Sequence, residues 1–355
     1  LNKAFHGHYH DSILNFEVPV SMPDQRKCTP KILDNITQLV GHTPMVHLHK
    51  ISKDLPGKVI VKLEFYNPSS SVKDRPAFYM VESAEKSGRL KPGMTLVEPT
   101  SGNMGIATAL MGAARGYKTI ICMPETMSVE RRRIQKIFGA RIVLTPGALG
   151  TKGAVDMAEK LVRENPDYLL LHQFKNAANP DGHHCSTGKE IWDDTEGQVD
   201  IFVAGLGTGG TFTGVSRCLK ENNPDIYCVA VEPRDHPLLS CGEPGLHNLQ
   251  GLGPGFIPEI LDEEIIDEVM MVTDDQAGGM ARRIAHEEGI LGGISAGTNV
   301  WAAVQLASRP ENKGKMIVTV IPDTGERYLS TWLFENNGEM EEYMSPIENT
   351  TVEYR

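Results

Sequence analysis

The sequence predicts an α/β protein built on two open, mostly parallel twisted sheets flanked by helices. Three observations lead there. From about residue 44 onward, eight short runs rich in Val, Ile and Leu alternate with amphipathic helical stretches, and such nearly continuous apolar strands belong to parallel sheets covered on both faces. Two strand-to-helix turns, residues 100–105 (TSGNMG) and 205–210 (GLGTGG), are polar and glycine-rich, which suits open sheets with ligands beyond the carboxyl ends of their strands better than a closed barrel. The 355 residues correspond to two domains at roughly 150 residues each.

The strands are expected at residues 59–61, 95–97, 119–121, 141–143, 169–171, 201–203, 228–231 and 317–320, mostly β-branched or aliphatic. A helix should start near Lys73 and run to about Lys86, and Arg131, Arg132 and Arg133, set between Glu130 and Lys136, read as one solvated helix face. The first 30 residues are polar and rich in turn formers, and are expected to be an extension. Its His6, His8 and His10 alternate but have no Cys or carboxylate at a metal-ligand spacing, so an exposed arm is the better reading. The remainder divides into an N-terminal lobe (31–44 and 67–177) that carries the turn 100–105, a C-terminal lobe (45–66 and 178–344) that carries the turn 205–210, and a tail (345–355).

Composition narrows the function. With 46 Asp and Glu against 35 Lys and Arg, the net charge of -11 repels nucleic acid and anionic lipid. No stretch approaches the ~18 apolar residues needed to span a bilayer. The six cysteines form no CxxC pair, and Cys122 and Cys228 sit inside apolar runs, as buried free thiols would. That usage fits a reducing compartment, so a cytoplasmic location is expected, with a mitochondrial one left open.

The turn 205–210 satisfies GxGxxG, and Glu232 stands where a ribose-binding acid belongs, but a dinucleotide fingerprint usually opens its domain and this one lies past mid-chain. More generally, successive glycines at a helix start form an anion cup, with Thr208 and Thr211 adding hydroxyl donors. Lys73 falls near a helix start, where the macrodipole and a neighbouring cation disfavour its ammonium form. A lysine of lowered pKa forms Schiff bases.

The lysine block 67–76 (NPSSSVKDRP) is joined by residues 36–45 (ITQLVGHTPM), 98–105 (EPTSGNMG), Gln173-Phe174, 205–214 (GLGTGGTFTG), 251–258 (GLGPGFIP), 293–297 (GISAG) and 325–331 (GERYLST). In this order the motifs resemble the pyridoxal-phosphate enzymes of the tryptophan-synthase fold type (fold type II), in particular the cysteine synthase (O-acetylserine sulfhydrylase) and β-cyanoalanine synthase family. The resemblance covers residues 31–336 and implies that pyridoxal 5'-phosphate lies in a cleft between two lobes. It implies that Lys73 holds the cofactor as an internal aldimine and shuttles the α-proton. Gly207, Thr208, Gly209, Gly210 and Thr211 would bind the phosphate, Asn103 the ring hydroxyl and Ser295 the pyridine nitrogen. Thr100, Ser101, Asn103, Met104, Gln173 and Gly251 would serve the substrate. A serine partner leaves the ring a weaker electron sink than an Asp would, which suits β-elimination to an α-aminoacrylate followed by addition of a small nucleophile.

The member-specific residues disagree. Met104 and the PSSS-KDRPA block are similar to plant β-cyanoalanine synthases, which favours cysteine and cyanide, whereas Ala204 and Thr208 follow the cysteine-synthase form, which favours O-acetylserine and sulfide. Residues 30–33 are similar to the entry of cystathionine β-synthase, although GERYLST and GLGPGFIP are not. The resemblance also implies a homodimer, and it leaves room for a weakly catalytic relative that accepts a partner protein's C-terminal peptide in the substrate cleft.

Overall fold

The computed structural model describes residues 32–335 apart from Ser101 and Ser128. The expectations placed on His6, His8, His10, Ser101 and the tail 345–355 lie outside the described residues. In chain order the elements are β1 (Met45–His47), β2 (Lys58–Leu63), α1 (Asp74–Lys86), β3 (Thr95–Pro99), α2 (Asn103–Arg115), β4 (Lys118–Pro124), α3 (Val129–Ile137), β5 (Arg141–Thr145), α4 (Gly150–Glu164), β6 (Tyr168–Leu170), α5 (Ala178–His183), α6 (Lys189–Asp194), β7 (Ile201–Gly205), α7 (Gly210–Asn222), β8 (Tyr227–Pro233), α8 (Leu238–Cys241), β9 (Glu268–Val272), α9 (Asp274–Glu288), α10 (Ile294–Ala307) and β10 (Met316–Ile321).

All eight expected strands form, and they divide between two sheets. One has the order β5-β4-β3-β6 and is parallel throughout. The other has the order β1-β2-β10-β7-β8-β9 and is parallel except for β1, which runs antiparallel to β2. β1 and β9 were not expected: one is three residues long, and in the other (EVMMV) Glu and two Met dilute the strand signal of the two Val residues. Both sit at sheet edges.

The apolar runs are explained by burial on both faces. On one side of the six-stranded sheet, Val203, Val231 and Ile317 pack against Met280 and Ile284 of α9 and Val300 and Leu306 of α10. On the other side, Phe202, Cys228 and Val318 meet Phe212, Val215 and Leu219 of α7. Fully burying each such side chain contributes about 1.5–3 kcal/mol. In the four-stranded sheet, Leu96 packs toward α1 and α2, while Val97 and Ile120 pack toward α4. α9 is stopped at both ends by local chemistry, through a Thr273/Gln276 capping box and the left-handed Gly289.

One expectation changes. Arg131 is buried, with its guanidinium 5.4 Å from the Tyr328 ring centroid, so the arginine run is not one solvated face; only Arg133 of the three is exposed. Cys122 and Cys228 are buried free thiols, as expected.

Candidate active site

Four helices begin at one cleft. Lys73 is the N-cap of α1, Asn103 opens α2, Gly209 is the N-cap of α7 and Ser295 stands second in α10, and all four line a space of about 580 Å³ counted out to its open mouth. Helix N-termini carry partial positive charge and unpaired amides, so their convergence makes the cleft an anion site.

The Lys73 amine has no hydrogen-bond or ion-pair partner among the described residues. Desolvation lowers its pKa from 10.5 to about 8, and the charge of Asp323 opposes the shift. The direction is the one expected from sequence, but the main cause is burial rather than the macrodipole or a cation. The loop before α1 is held firmly. Ser69 donates its amide (2.5 Å) and its hydroxyl to Asp74, and Val72 N–H donates to Pro322 O at 2.8 Å. Burial, offset in part by the Ser69 bonds, raises the Asp74 carboxyl to about 6.

Behind this loop lies a buried ionic knot. Arg75 donates Nε and Nη2 to Glu64 (2.7 and 2.8 Å) and Nη1 and Nη2 to Glu190 (both 2.7 Å). Lys62 lies 3.0 Å from Glu190 and donates to Thr43 O. Burial alone would lower the Arg75 pKa, but Glu64 and Glu190 raise it; burial would raise Glu190, but Arg75 and Lys62 bring it down to about 2.

The glycine turn faces the lysine's cleft. Gly209 has φ +81°, and a Cβ on Gly207 would sit 2.3 Å from the Gly251 carbonyl oxygen, so neither position accepts a side chain. Gly207, Thr208, Gly209, Thr211 and Gly251 line the cleft, whereas Gly210 packs on Asn179 and gives its amide to Thr208 Oγ1 at 3.2 Å. The Thr211 hydroxyl lies 3.2 Å from His183 Nε2.

Thr100 and Gln173 form a neighbouring group. Gln173 Nε2 donates to Pro99 O at 3.2 Å, and Thr100 Oγ1 accepts from Gly102 N–H at 3.0 Å. Glu98 accepts the amides of His172 (2.8 Å) and Gln173 (3.3 Å), yet burial still raises its carboxyl to about 8. Asn179 links this group to the glycine turn, donating to Gln173 O at 2.8 Å and Thr208 Oγ1 at 3.3 Å. Met104 does not join them. Its side chain is buried in the apolar cluster with Ala77, Met80 and Leu110, so the thioether does not line the cleft.

Asn103 is held at both ends of its amide, giving Nδ2 to Asp323 Oδ2 at 2.6 Å and taking Arg327 Nη1 on Oδ1 at 2.5 Å. Tyr328 OH also donates to Asp323 Oδ2, at 2.6 Å, and Arg327 reaches on to Ser69 O. Asp323, Asn179, His183 and Arg327 were missed as site residues. Asp323 had a readable signal, since it stands two residues beyond the apolar strand β10, at the carboxyl end where ligands collect.

The dinucleotide reading fails at Glu232, whose carboxylate is occupied by the amides of Leu239 (2.8 Å) and Ser240 (3.1 Å) at the start of α8. A phosphorylated aldehyde does fit the donor set. The Lys73 amine and the Ser295 hydroxyl line the cleft without partners among the described residues, and the turn offers an amide cradle that a Cβ would fill.

The comparisons agree with that chemistry. Residues 36–323 match the family described as "Pyridoxal-phosphate dependent enzyme", and this chain belongs to it. It is 52% identical over 305 residues to a cysteine synthase of Staphylococcus aureus, covering 86% of this chain and 98% of that protein. The cysteine synthase structure from Entamoeba histolytica superposes with a TM-score of 0.84 at 45% identity, covering 87% of this chain and 93% of that one. An O-ureido-L-serine synthase gives a TM-score of 0.83 at 42% identity, covering 88% and 100%.

Proposed function

We propose that this protein is a cysteine synthase, replacing the acetoxy group of O-acetylserine by sulfide at the β-carbon. The observation that carries the reading is a buried lysine amine, unpartnered among the described residues and of pKa about 8, sharing a cleft with a glycine turn of bare backbone at a helix start. Pyridoxal phosphate, when bound, supplies an electron sink for charge developing at the substrate α-carbon. Lys73 anchors it and, near neutral pH, gives and takes the α-proton as a base of suitable strength. Gly207, Thr208, Gly209 and Thr211 hold the phosphate, and the Gly210 amide braces Thr208. Ser295 serves the ring nitrogen, Asn103 the ring hydroxyl, and Thr100 and Gln173 the substrate carboxylate. The part of the chain around the four-stranded sheet carries the substrate loop, and its approach to the glycine turn excludes water from the cleft.

Sulfide is favoured over cyanide for a specific reason. The local argument for cyanide needs Met104 beside the substrate, and Met104 is in the core. Assays with O-acetylserine plus sulfide and with cysteine plus cyanide, run side by side, test the choice. Faster turnover with cyanide overturns it, and no turnover with either, accompanied by competitive binding of C-terminal peptides, replaces it with a binding role. A homodimer in the cytoplasm is the accompanying proposal. No helix among the described residues is long and apolar enough to cross a membrane.

A further inference from the structure

Asp323 is only 1% exposed, and its two oxygens are treated differently: Oδ2 accepts from Asn103 and Tyr328, while Oδ1 is buried without a hydrogen-bond partner among the described residues. A buried carboxylate oxygen without a donor is costly unless something else answers its charge. The backbone explains its placement. Asp323 bridges Ser71, two residues before Lys73, and the adjoining Pro322 carbonyl takes the Val72 amide. From α10, a Cβ on Gly293 would stand 2.2 Å from Oδ1, so that helix presses bare backbone on the carboxylate and brings it no cation. The charged and titratable groups around it are Lys73 before α1, Arg327 and Tyr328 after β10, and Arg131 of α3 through the Tyr328 ring. Arg327 is engaged with Asn103 and Ser69, and Tyr328 is on the other oxygen. Among the described residues, the Lys73 amine has no hydrogen-bond or ion-pair partner of its own.

We propose that Asp323 is the positioning residue of Lys73: its buried carboxylate is the counter-ion that sets the charge of the lysine amine, while its second oxygen fixes the amide of Asn103 beside it. One group therefore coordinates the amine and the side chain assigned to the cofactor's ring hydroxyl. Its negative charge keeps the free amine cationic, directed and soluble in a cleft that would otherwise strip its proton. The inference rests on Lys73 being the cofactor anchor.

The test measures the rate at which the full-length chain, stripped of cofactor, takes up pyridoxal phosphate, followed by visible absorbance from pH 6 to 10. Uptake needs the neutral amine, so the midpoint reports the Lys73 pKa, about 8 in the parent. Asp323→Asn keeps the size and can keep an acceptor oxygen toward Asn103 and Tyr328 but removes the charge; its midpoint should fall by roughly one pH unit, with uptake at pH 7 about fivefold faster. Tyr328→Phe removes a hydrogen bond but not the charge, and should leave the midpoint in place. An unchanged midpoint in Asp323→Asn, or equal shifts in both variants, overturns the proposal in favour of a scaffold role. Asp323→Ser repeats the measurement if the Asn variant does not fold. Lys73→Ala separates the two ideas, because retention of the visible band there refutes the anchor itself, whatever Asp323 does.

Discussion

His183 Nε2 lies 3.2 Å from the Thr211 hydroxyl, and its Nδ1 lies 2.8 Å from Thr187 Oγ1. Burial, then the charges of Arg75 and Lys73, hold the imidazole pKa well below 6.5. The ring is therefore neutral at physiological pH, with one nitrogen donating and the other accepting, and it fixes the rotor of a hydroxyl in the proposed phosphate cup.

Replacing His183 with Ala should weaken retention of pyridoxal phosphate by about fivefold, the worth of one hydrogen bond. Equilibrium dialysis measures it, and unchanged affinity would show that Thr211 does not depend on the ring. Because the folded pKa is depressed, the parent loses the stability of the neutral ring as pH falls below 6.5, a loss the Ala variant lacks.

Gly207→Ala should reduce cofactor affinity by more than roughly tenfold, about 1.4 kcal/mol, while leaving far-UV circular dichroism intact. The new methyl would meet a backbone carbonyl at 2.3 Å, which cannot swing aside as a side chain could. Wild-type affinity would mean the turn is looser than its geometry implies.

The sequence made the lysine, the glycine turn and the Ser295 turn legible because each is a short local pattern with its own chemistry. The strands were legible because two-sided burial writes an unbroken apolar run. β9 was not, since Met270 and Met271 carry no strand preference. Met104 misled because its neighbours on α2 are loop residues in sequence but the helix turns its side chain toward α1. Asp323, Asn179 and Arg327 act through partners up to 258 residues away, and no local period encodes such a pairing. Glu232 fitted a motif by position, yet its acceptor capacity is used by α8.

Thermal stability of the chain should fall as pH rises from 6.5 to 8, and Glu98→Gln should flatten that slope. The Glu98 pKa is raised, by burial, from 4.5 to about 8, so its stabilising contribution is complete below 4.5 and is lost as pH climbs through the folded value. Asp74 has the same sign, but its window closes at about 6. A Glu98→Gln profile as steep as the parent's would assign the slope elsewhere.

Arg75→Ala should cost about 3–5 kcal/mol in urea denaturation, because Glu64, with no exposed surface, would lose its guanidinium partner. Glu190 keeps Lys62 at 3.0 Å, so the loss concentrates on Glu64. Pairing Arg75→Ala with Glu64→Gln should recover part of it; no recovery would locate the cost in packing.

Met104→Thr should destabilise the fold by about 2–4 kcal/mol through a cavity and a buried hydroxyl. Its ratio of sulfide to cyanide turnover should stay within twofold of the parent. A large swing in that ratio would place the thioether at the substrate after all.

The bond from Arg327 to Asn103 spans 224 positions of chain, and the one to Ser69 spans 258. During synthesis the early segment bearing Lys73 emerges long before the arginine that closes its surroundings. On the proposed role of Lys73, vitamin-derived cargo is therefore locked in only after the segment through residue 327 has left the ribosome, and a product cut short of it would display the amine without these two bonds around it.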